Sequence, residues 1–252
     1  MKAIVLAAGR GSRMRALTED RPKGLVELAG RPLFDWQLRA LRGGGAEEVG
    51  VVRGYRGDAF DRYGLQAFEN PQWESTNMVA SLRCADDWLR QAPCLVSYSD
   101  IFYGAASVAR LAAAPGDRLA IAYDPNWRTL WARRFEDPLS DAETFRLDGA
   151  GKVVEIGKKP RGYDEVEGQY MGLLRFTPRA WQQTAQLLDS LEPEVARRLD
   201  MTGLLGRLIA AGAEIGAVAI EEAWGEVDSE TDLAVYEAAL RAAEPGITAI
   251  LG

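Results

Sequence analysis

The most constraining feature of this chain is its start. The run Lys2–Ala7 is short and mostly apolar, and it leads directly into Ala8-Gly9-Arg10-Gly11-Ser12-Arg13. A continuous apolar run bounded by glycines reads as a strand buried on both faces, the condition of a parallel sheet. Glycines placed after such a strand let the backbone approach a ligand and aim successive N–H groups at phosphate oxygens. The loop lacks the Gly-Lys-Ser/Thr ending of a Walker loop and the full G-x-G-x-x-G dinucleotide spacing. Taken alone, it is equally a tight strand-to-helix turn. It is no signal peptide, because its apolar stretch is too short and arginines follow where a cleavage site would stand.

Two cations extend the loop's meaning. Arg13 lies two residues after Gly11, and Lys23 follows Pro22 ten residues further on. A guanidinium grips phosphate with two donors and an ammonium supplies a compact charge. Arg10, Arg15 and Arg21 read equally well as solvated surface charges.

The rest of the chain alternates. A helix is predicted over 32–42, ended by the glycine cluster at 43–45, followed by a strand in EEVGVVRGY. A further helix is predicted within 73–90. CLVSYSDIF reads as a strand reaching an aspartate, SVARLAAA as a helix and RLAIAYD as a strand. Helices are also expected over 178–190 and 201–211, with GQYMGLLRF and AEIGAVAI as strands and a closing helix from Ser229. This alternation predicts an α/β fold, a three-layer α/β/α sandwich on a mixed, mostly parallel sheet. Residues 127–172 break the pattern: TFRLDGAGKVVEIGKKP reads as a β-hairpin turning at Gly-Ala-Gly, a small β-rich lid inserted in a single domain over 1–252.

Composition narrows the chemistry. The chain has 252 residues and no histidine, which removes Ser-His-Asp catalysis, His-ligated zinc and histidine bases. Its formal charge of −7 argues against a nucleic-acid partner, and no apolar run is long enough for a membrane span. Cys84 and Cys94 are too few for a disulfide framework and read as buried free thiols in a cytoplasmic protein. Chemistry must therefore run on carboxylates, Lys, Arg, backbone amides and a metal held by oxygen.

Asp100 ends CLVSYSD and Asp228 ends WGEVD. In open α/β sheets ligands bind beyond the carboxyl ends of strands, and Mg²⁺ takes one or two carboxylates with phosphate oxygens and water. Glu226 is a further ligand candidate, because Glu-Val-Asp puts both carboxylates on one face of an extended segment. The alternative for Asp228 is a helix cap before Ser229.

The stretches L-A-A-G-R-G-S-R-M and T-E-D-R-P-K resemble the signature of the nucleotidyltransferases that activate sugar phosphates and phosphocholine. The resemblance implies a Rossmann-like nucleotidyltransferase fold in which Leu6, Ala8, Gly9, Gly11, Ser12, Arg13 and Lys23 bind a nucleoside triphosphate. Arg13 and Lys23 would be the catalytic cations, with Asp100 and Asp228 holding Mg²⁺. The segment from Glu69 to Leu82 is similar to the cytidylyltransferase branch, with Asn77 and Ser81, four apart on a helix, beside the base. The bland reading is that Ser75 or Thr76 caps that helix.

The acceptor is expected against residues 127–172. Trp127, Trp131, Tyr163, Tyr170 and Trp224 suit a quaternary ammonium, and equally a core. Arg133, Arg134, Glu136, Asp137, Asp141, Glu143, Lys158, Lys159 and Glu167 suit an acceptor that is itself charged. Lys158 or Lys159 would hold its phosphate, or stand solvated on the hairpin. W-x-x-L-W-x-R-R-F-E-D-P-L-S-D-A-E-T-F, E-I-G-K-K-P and G-Q-Y-M-G resemble cytidylyltransferases of capsule and phosphonate pathways, one of which activates phosphorylated glutamine. The expected acceptor-binding set is Trp127, Trp131, Lys159, Glu167 and Tyr170. The expected reaction joins CMP from CTP to a small phosphorylated molecule and releases pyrophosphate; homodimerisation is compatible with it. The alternatives are a sugar-1-phosphate nucleotidyltransferase using UTP, GTP or dTTP, and a non-catalytic nucleotide-binding regulator.

Overall fold

A computed structural model of the chain describes residues 1–11, 14 and 17–252. Seven strands form its central sheet: β1 (Lys2–Ala7), β2 (Glu48–Arg53), β3 (Gln66–Glu69), β4 (Cys94–Tyr98), β5 (Ala120–Asp124), β6 (Gln169–Phe176) and β7 (Gly216–Ala219). Their spatial order is β7-β5-β6-β4-β1-β2-β3. Only β6 is antiparallel to its neighbours β4 and β5; the other pairings are parallel. The carboxyl ends of β1, β4 and β5 therefore share one sheet edge with the amino end of β6, and that edge is where a ligand belongs.

Period-two alternation sorts β1 into two cores. Ala3, Val5 and Ala7 face a layer with Phe34, Leu38 and Leu41 of the helix Leu33–Gly43 and Val108 of the helix Ala105–Ala112. Ile4 and Leu6 face the other layer, which holds Val79 and Leu82 of the helix Met78–Arg83, Trp181 of Pro178–Asp189 and Leu204 of Met201–Ala210. This is the expected α/β/α sandwich.

Three local departures matter for the site. The helix predicted within 73–90 is two short helices, Met78–Arg83 and Asp86–Gln91. The run CLVSYSDIF breaks at Ser99-Asp100: β4 stops at Tyr98, and Ile101–Tyr103 leaves the main sheet to pair antiparallel with Trp224–Glu226. Within 127–172 the hairpin is present as Phe145–Leu147 paired with Val153–Ile156. A helix, Trp127–Arg134, precedes it. Its sequence WRTLWARR has no clean apolar face, which is why helical periodicity does not reveal it. Cys84 is half-buried and Cys94 buried, both as free thiols. Among the described residues no helix is long and apolar enough to cross a membrane.

Candidate active site

Two short-range devices bring the distant carboxylates together. The paired strands Ile101–Tyr103 and Trp224–Glu226 place Glu226 opposite Ile101, and the Val227 N–H extends that ladder by donating to the Asp100 carbonyl at 2.8 Å. Asp100, Glu226 and Asp228 consequently offer carboxylate oxygens that all lie within 4.8 Å of one another. Helix capping falls to Ser229, whose hydroxyl accepts from the Asp232 N–H in a capping box. Asp228 is thus not the N-cap of the helix Glu230–Arg241.

Lys23 enters the cluster from a single turn, Lys23–Leu25, that follows Pro22. Its Nζ donates to Asp100 Oδ2 at 2.7 Å and to Asp228 Oδ1. Burial works against its charge, but Asp100 and Asp228 outweigh that and hold the ammonium above the usual lysine range. Gly11 makes room for this: its φ is +71°, and a Cβ there would sit 2.7 Å from Lys23 Cβ. Burial first, then Asp228, raises the Glu226 carboxyl above the ordinary range.

The cluster suits a divalent cation. Asp100 Oδ1 is buried without a hydrogen-bond partner, an expensive state for a carboxylate oxygen unless a cation meets it. Lys23 already shows that positive charge is accepted there. The all-oxygen set matches a hard cation.

Two cavities meet at these carboxylates. The first, about 310 Å³, is lined by Leu6, Ala8, Gly9, Gly11, Lys23, Asn77, Ser81 and Asp100, joined by Trp73, Thr76, Met78, Tyr98 and Ser99. Every described residue expected at the nucleotide is therefore in one place; Ser12 and Arg13 lie outside the described residues. Asn77, not Ser75 or Thr76, is the N-cap of Met78–Arg83, with Oδ1 accepting from the Met78 N–H at 2.8 Å. Ser81 receives an N–H from buried Asn70 Nδ2 at 2.9 Å, and the same amide reaches Thr76 Oγ1. Asn70 sets the polar wall of this cavity, and no periodicity signals it.

The second cavity, about 330 Å³, shares Met78 and Tyr98 with the first and opens onto Glu226 and Asp228. Trp131, Tyr170 and Trp224 are among its walls, as are Asp141, Glu143 and Asp200. No lysine or arginine lines it among the described residues. Glu143 is held by Gln169, which donates to its carbonyl at 2.8 Å and accepts its N–H at 3.2 Å. Burial, then Asp200, raises the Glu143 carboxyl above the ordinary range. Trp224 is steered by its Nε1 donating to buried Asp124 at 2.9 Å. Gly172 (φ +75°) leaves space for the Tyr98 ring, which a Cβ would meet at 2.7 Å.

Other expected acceptor residues lie elsewhere. Trp127 is buried in the core, its Nε1 donating to the Val166 carbonyl. Lys159 donates to the carbonyls of Leu139 and Ser140 at 2.6 Å each, and Lys158 pairs with Glu155. Glu167 accepts the N–H of Leu147, a residue of the hairpin. Tyr163 is exposed under the Arg128 guanidinium. Arg134 is fully buried beneath the carboxylates, bonded to Glu226 and Asp232. The signal for Asp232 was in the sequence, since Ser229-x-x-Asp232 is a capping-box pattern with Asp in place of Glu.

The model of the MobA-like NTP transferase domain matches residues 3–192. The CTP:phosphoglutamine cytidylyltransferase of Campylobacter jejuni is 36% identical over 251 residues, covering 93% of this chain and 98% of that protein. A glucose-1-phosphate thymidylyltransferase of Streptomyces griseus is 27% identical over 97% of this chain and 68% of its own length. Among solved structures, the inositol-1-phosphate CTP transferase from T. maritima superposes with a TM-score of 0.75 at 19% identity, covering 99% of this chain and 95% of that one.

Proposed function

The chain belongs to the MobA-like NTP transferase family, and we propose that it transfers CMP from CTP to a small phosphorylated acceptor bearing an ammonium group. The observation that carries this reading is the pair of similar-sized cavities meeting at Asp100, Glu226 and Asp228, one behind the glycine loop and one walled by carboxylates and indoles. The likeness to a CTP:phosphoglutamine cytidylyltransferase over nearly the whole chain supports both substrates.

CTP lies in the first cavity, with Leu6, Ala8, Gly9 and Gly11 along the triphosphate, Ser12 next to Gly11 in sequence, and Asn77 and Ser81 toward the base and ribose. Arg13, two residues past Gly11 in sequence, and Lys23 carry the positive charge that the phosphates need. An acceptor phosphate oxygen attacks the α-phosphorus in line; the α–β phosphoanhydride bond breaks and pyrophosphate leaves. The attacking group is already an anion, so no base is required, and the chain's contribution is positioning and charge stabilisation. Asp100 and Asp228, with Glu226 as the further ligand, would hold Mg²⁺, which neutralises phosphate charge when bound. In the second cavity Trp131, Tyr170 and Trp224 flank the acceptor, and Glu143, Asp141 and Asp200 take its ammonium.

The test is a matrix of the four ribonucleoside triphosphates and dTTP against phosphorylated amines, phospho-amino acids and hexose 1-phosphates, read by pyrophosphate release with Mg²⁺. Turnover is expected with CTP and an amine-bearing acceptor. Turnover confined to a hexose 1-phosphate with UTP, GTP or dTTP replaces this reading with sugar-nucleotide synthesis. CTP binding with no turnover across the panel replaces it with a nucleotide-sensing role.

A further inference from the structure

Against the carboxylate cluster, lining neither cavity, lies a buried cation that the reaction itself does not use. Arg134 ends the helix Trp127–Arg134, and its side chain is 0% exposed. Nη1 donates to Glu226 Oε2 at 3.0 Å and Nε to Asp232 Oδ1 at 2.8 Å. The other oxygen of Asp232, Oδ2, accepts the backbone N–H groups of Asp228 and Ser229 and the Ser229 hydroxyl, each at 2.9 Å. One planar guanidinium is therefore tied to Glu226 directly and to the Asp228 main chain through Asp232. The Trp131 and Phe135 rings pack against it, 5.2 and 5.1 Å from the guanidinium carbon.

We propose that Arg134 is the positioning residue of the metal-binding carboxylates: its fork fixes the Glu226 carboxylate and, through Asp232, the turn that presents Asp228. This rests on the reading of Asp100, Glu226 and Asp228 as the cation's ligands. Partners one bond removed from a metal ligand hold it in the coordinating rotamer, and losing them typically costs about 10–100-fold in metal affinity. A lysine cannot replace the fork, because one ammonium does not reproduce two fixed, planar donor directions.

Coulomb's law alone predicts the opposite sign, which makes the idea decidable. Arg134 is a positive charge near a cation site, so if charge were its only contribution, removing it would tighten metal binding. If it positions the ligands, removing it loosens binding.

The experiment titrates Mn²⁺ into the protein saturated with the α,β-methylene analogue of CTP and follows free Mn²⁺ by EPR, with the analogue alone as blank. Wild type is compared with Arg134→Met, Arg134→Lys and Asp232→Asn, each first checked for folding by circular dichroism. Affinity for the analogue in EDTA is measured in parallel, because general loosening of the fold would weaken it too. The expected result is Mn²⁺ affinity about 10-fold or more weaker in Arg134→Met and Arg134→Lys and less weakened in Asp232→Asn, with analogue affinity in EDTA retained. Should Arg134→Met not fold, Arg134→Lys and Asp232→Asn decide. Variants binding Mn²⁺ as tightly as wild type or more tightly, or losing analogue affinity in EDTA to the same extent, overturn the positioning role while leaving the metal reading intact. Failure of the wild type itself to bind Mn²⁺ beyond the blank overturns both.

Discussion

The two cavities flanking the carboxylates are nearly equal in size and opposite in construction. The cavity proposed for the nucleotide draws most of its walls from β1, its glycine loop, the Lys23 turn and the helix Met78–Arg83 with its N-cap Asn77. The cavity proposed for the acceptor is assembled from Trp131, Asp141 and Glu143, the start of β6, Asp200 with the first turn of the helix Met201–Ala210, and Trp224, Glu226 and Asp228. One side carries the glycine loop and small polar residues, with Trp73 and Tyr98 beside them, and glycines suit a close approach of backbone to phosphate. The other is rich in carboxylates and large rings, and on the proposed reading these select the acceptor.

The largest expected effect lies where the two sides meet. Asp228→Asn should lower kcat roughly 10²–10³-fold, as loss of one preorganised charge partner at a reacting phosphate typically does. Steady-state pyrophosphate release checks this; activity within tenfold of wild type would remove the cluster from the reaction. A smaller effect separates the sides. Glu143→Gln should raise KM for an ammonium-bearing acceptor about 10–100-fold, the range for a hydrogen bond to a charged group, and leave KM for CTP in place. An equal rise in both constants would erase the distinction between the cavities. The smallest belongs to the nucleotide wall. Ser81→Ala removes a neutral hydroxyl and should raise KM for CTP about 2–10-fold, with the acceptor constant unmoved.

The same contrast governs what could be read from the residue order. Gly9, Gly11 and Lys23 are close in sequence and announce themselves by spacing, and Asp100 and Asp228 by their places after strand-like runs. Trp131 and Tyr170, expected at the acceptor, line the second cavity. Trp127 carries the same signature but is turned into the core by the helix Trp127–Arg134, whose mixed face hides it from periodicity. Asp200 and Gln169 gave no warning, since one follows a short helix as an ordinary N-cap and the other opens an ordinary strand. Gln169 lines the second cavity because β6 runs against its neighbours and brings its amino end to that sheet edge, and Asp200 does so as the N-cap of the helix Met201–Ala210. Lys159 shows the converse: a lysine beside a hairpin looks available for phosphate, yet two carbonyls hold it.

The pairing of Ile101–Tyr103 with Trp224–Glu226 also fixes an order of events. Chains emerge from the ribosome N-terminus first, so the glycine loop, β1 to β6 and Asp100 are all outside before the segment that completes the cluster. Lys23 and Asp100 must wait for Asp228, 205 residues downstream of Lys23. A nascent chain halted before that segment would hold Lys23 and Asp100 but lack two of the three carboxylates. On the proposed reading, the metal-binding cluster is complete only once Glu226 and Asp228 have followed Lys23 and Asp100 out.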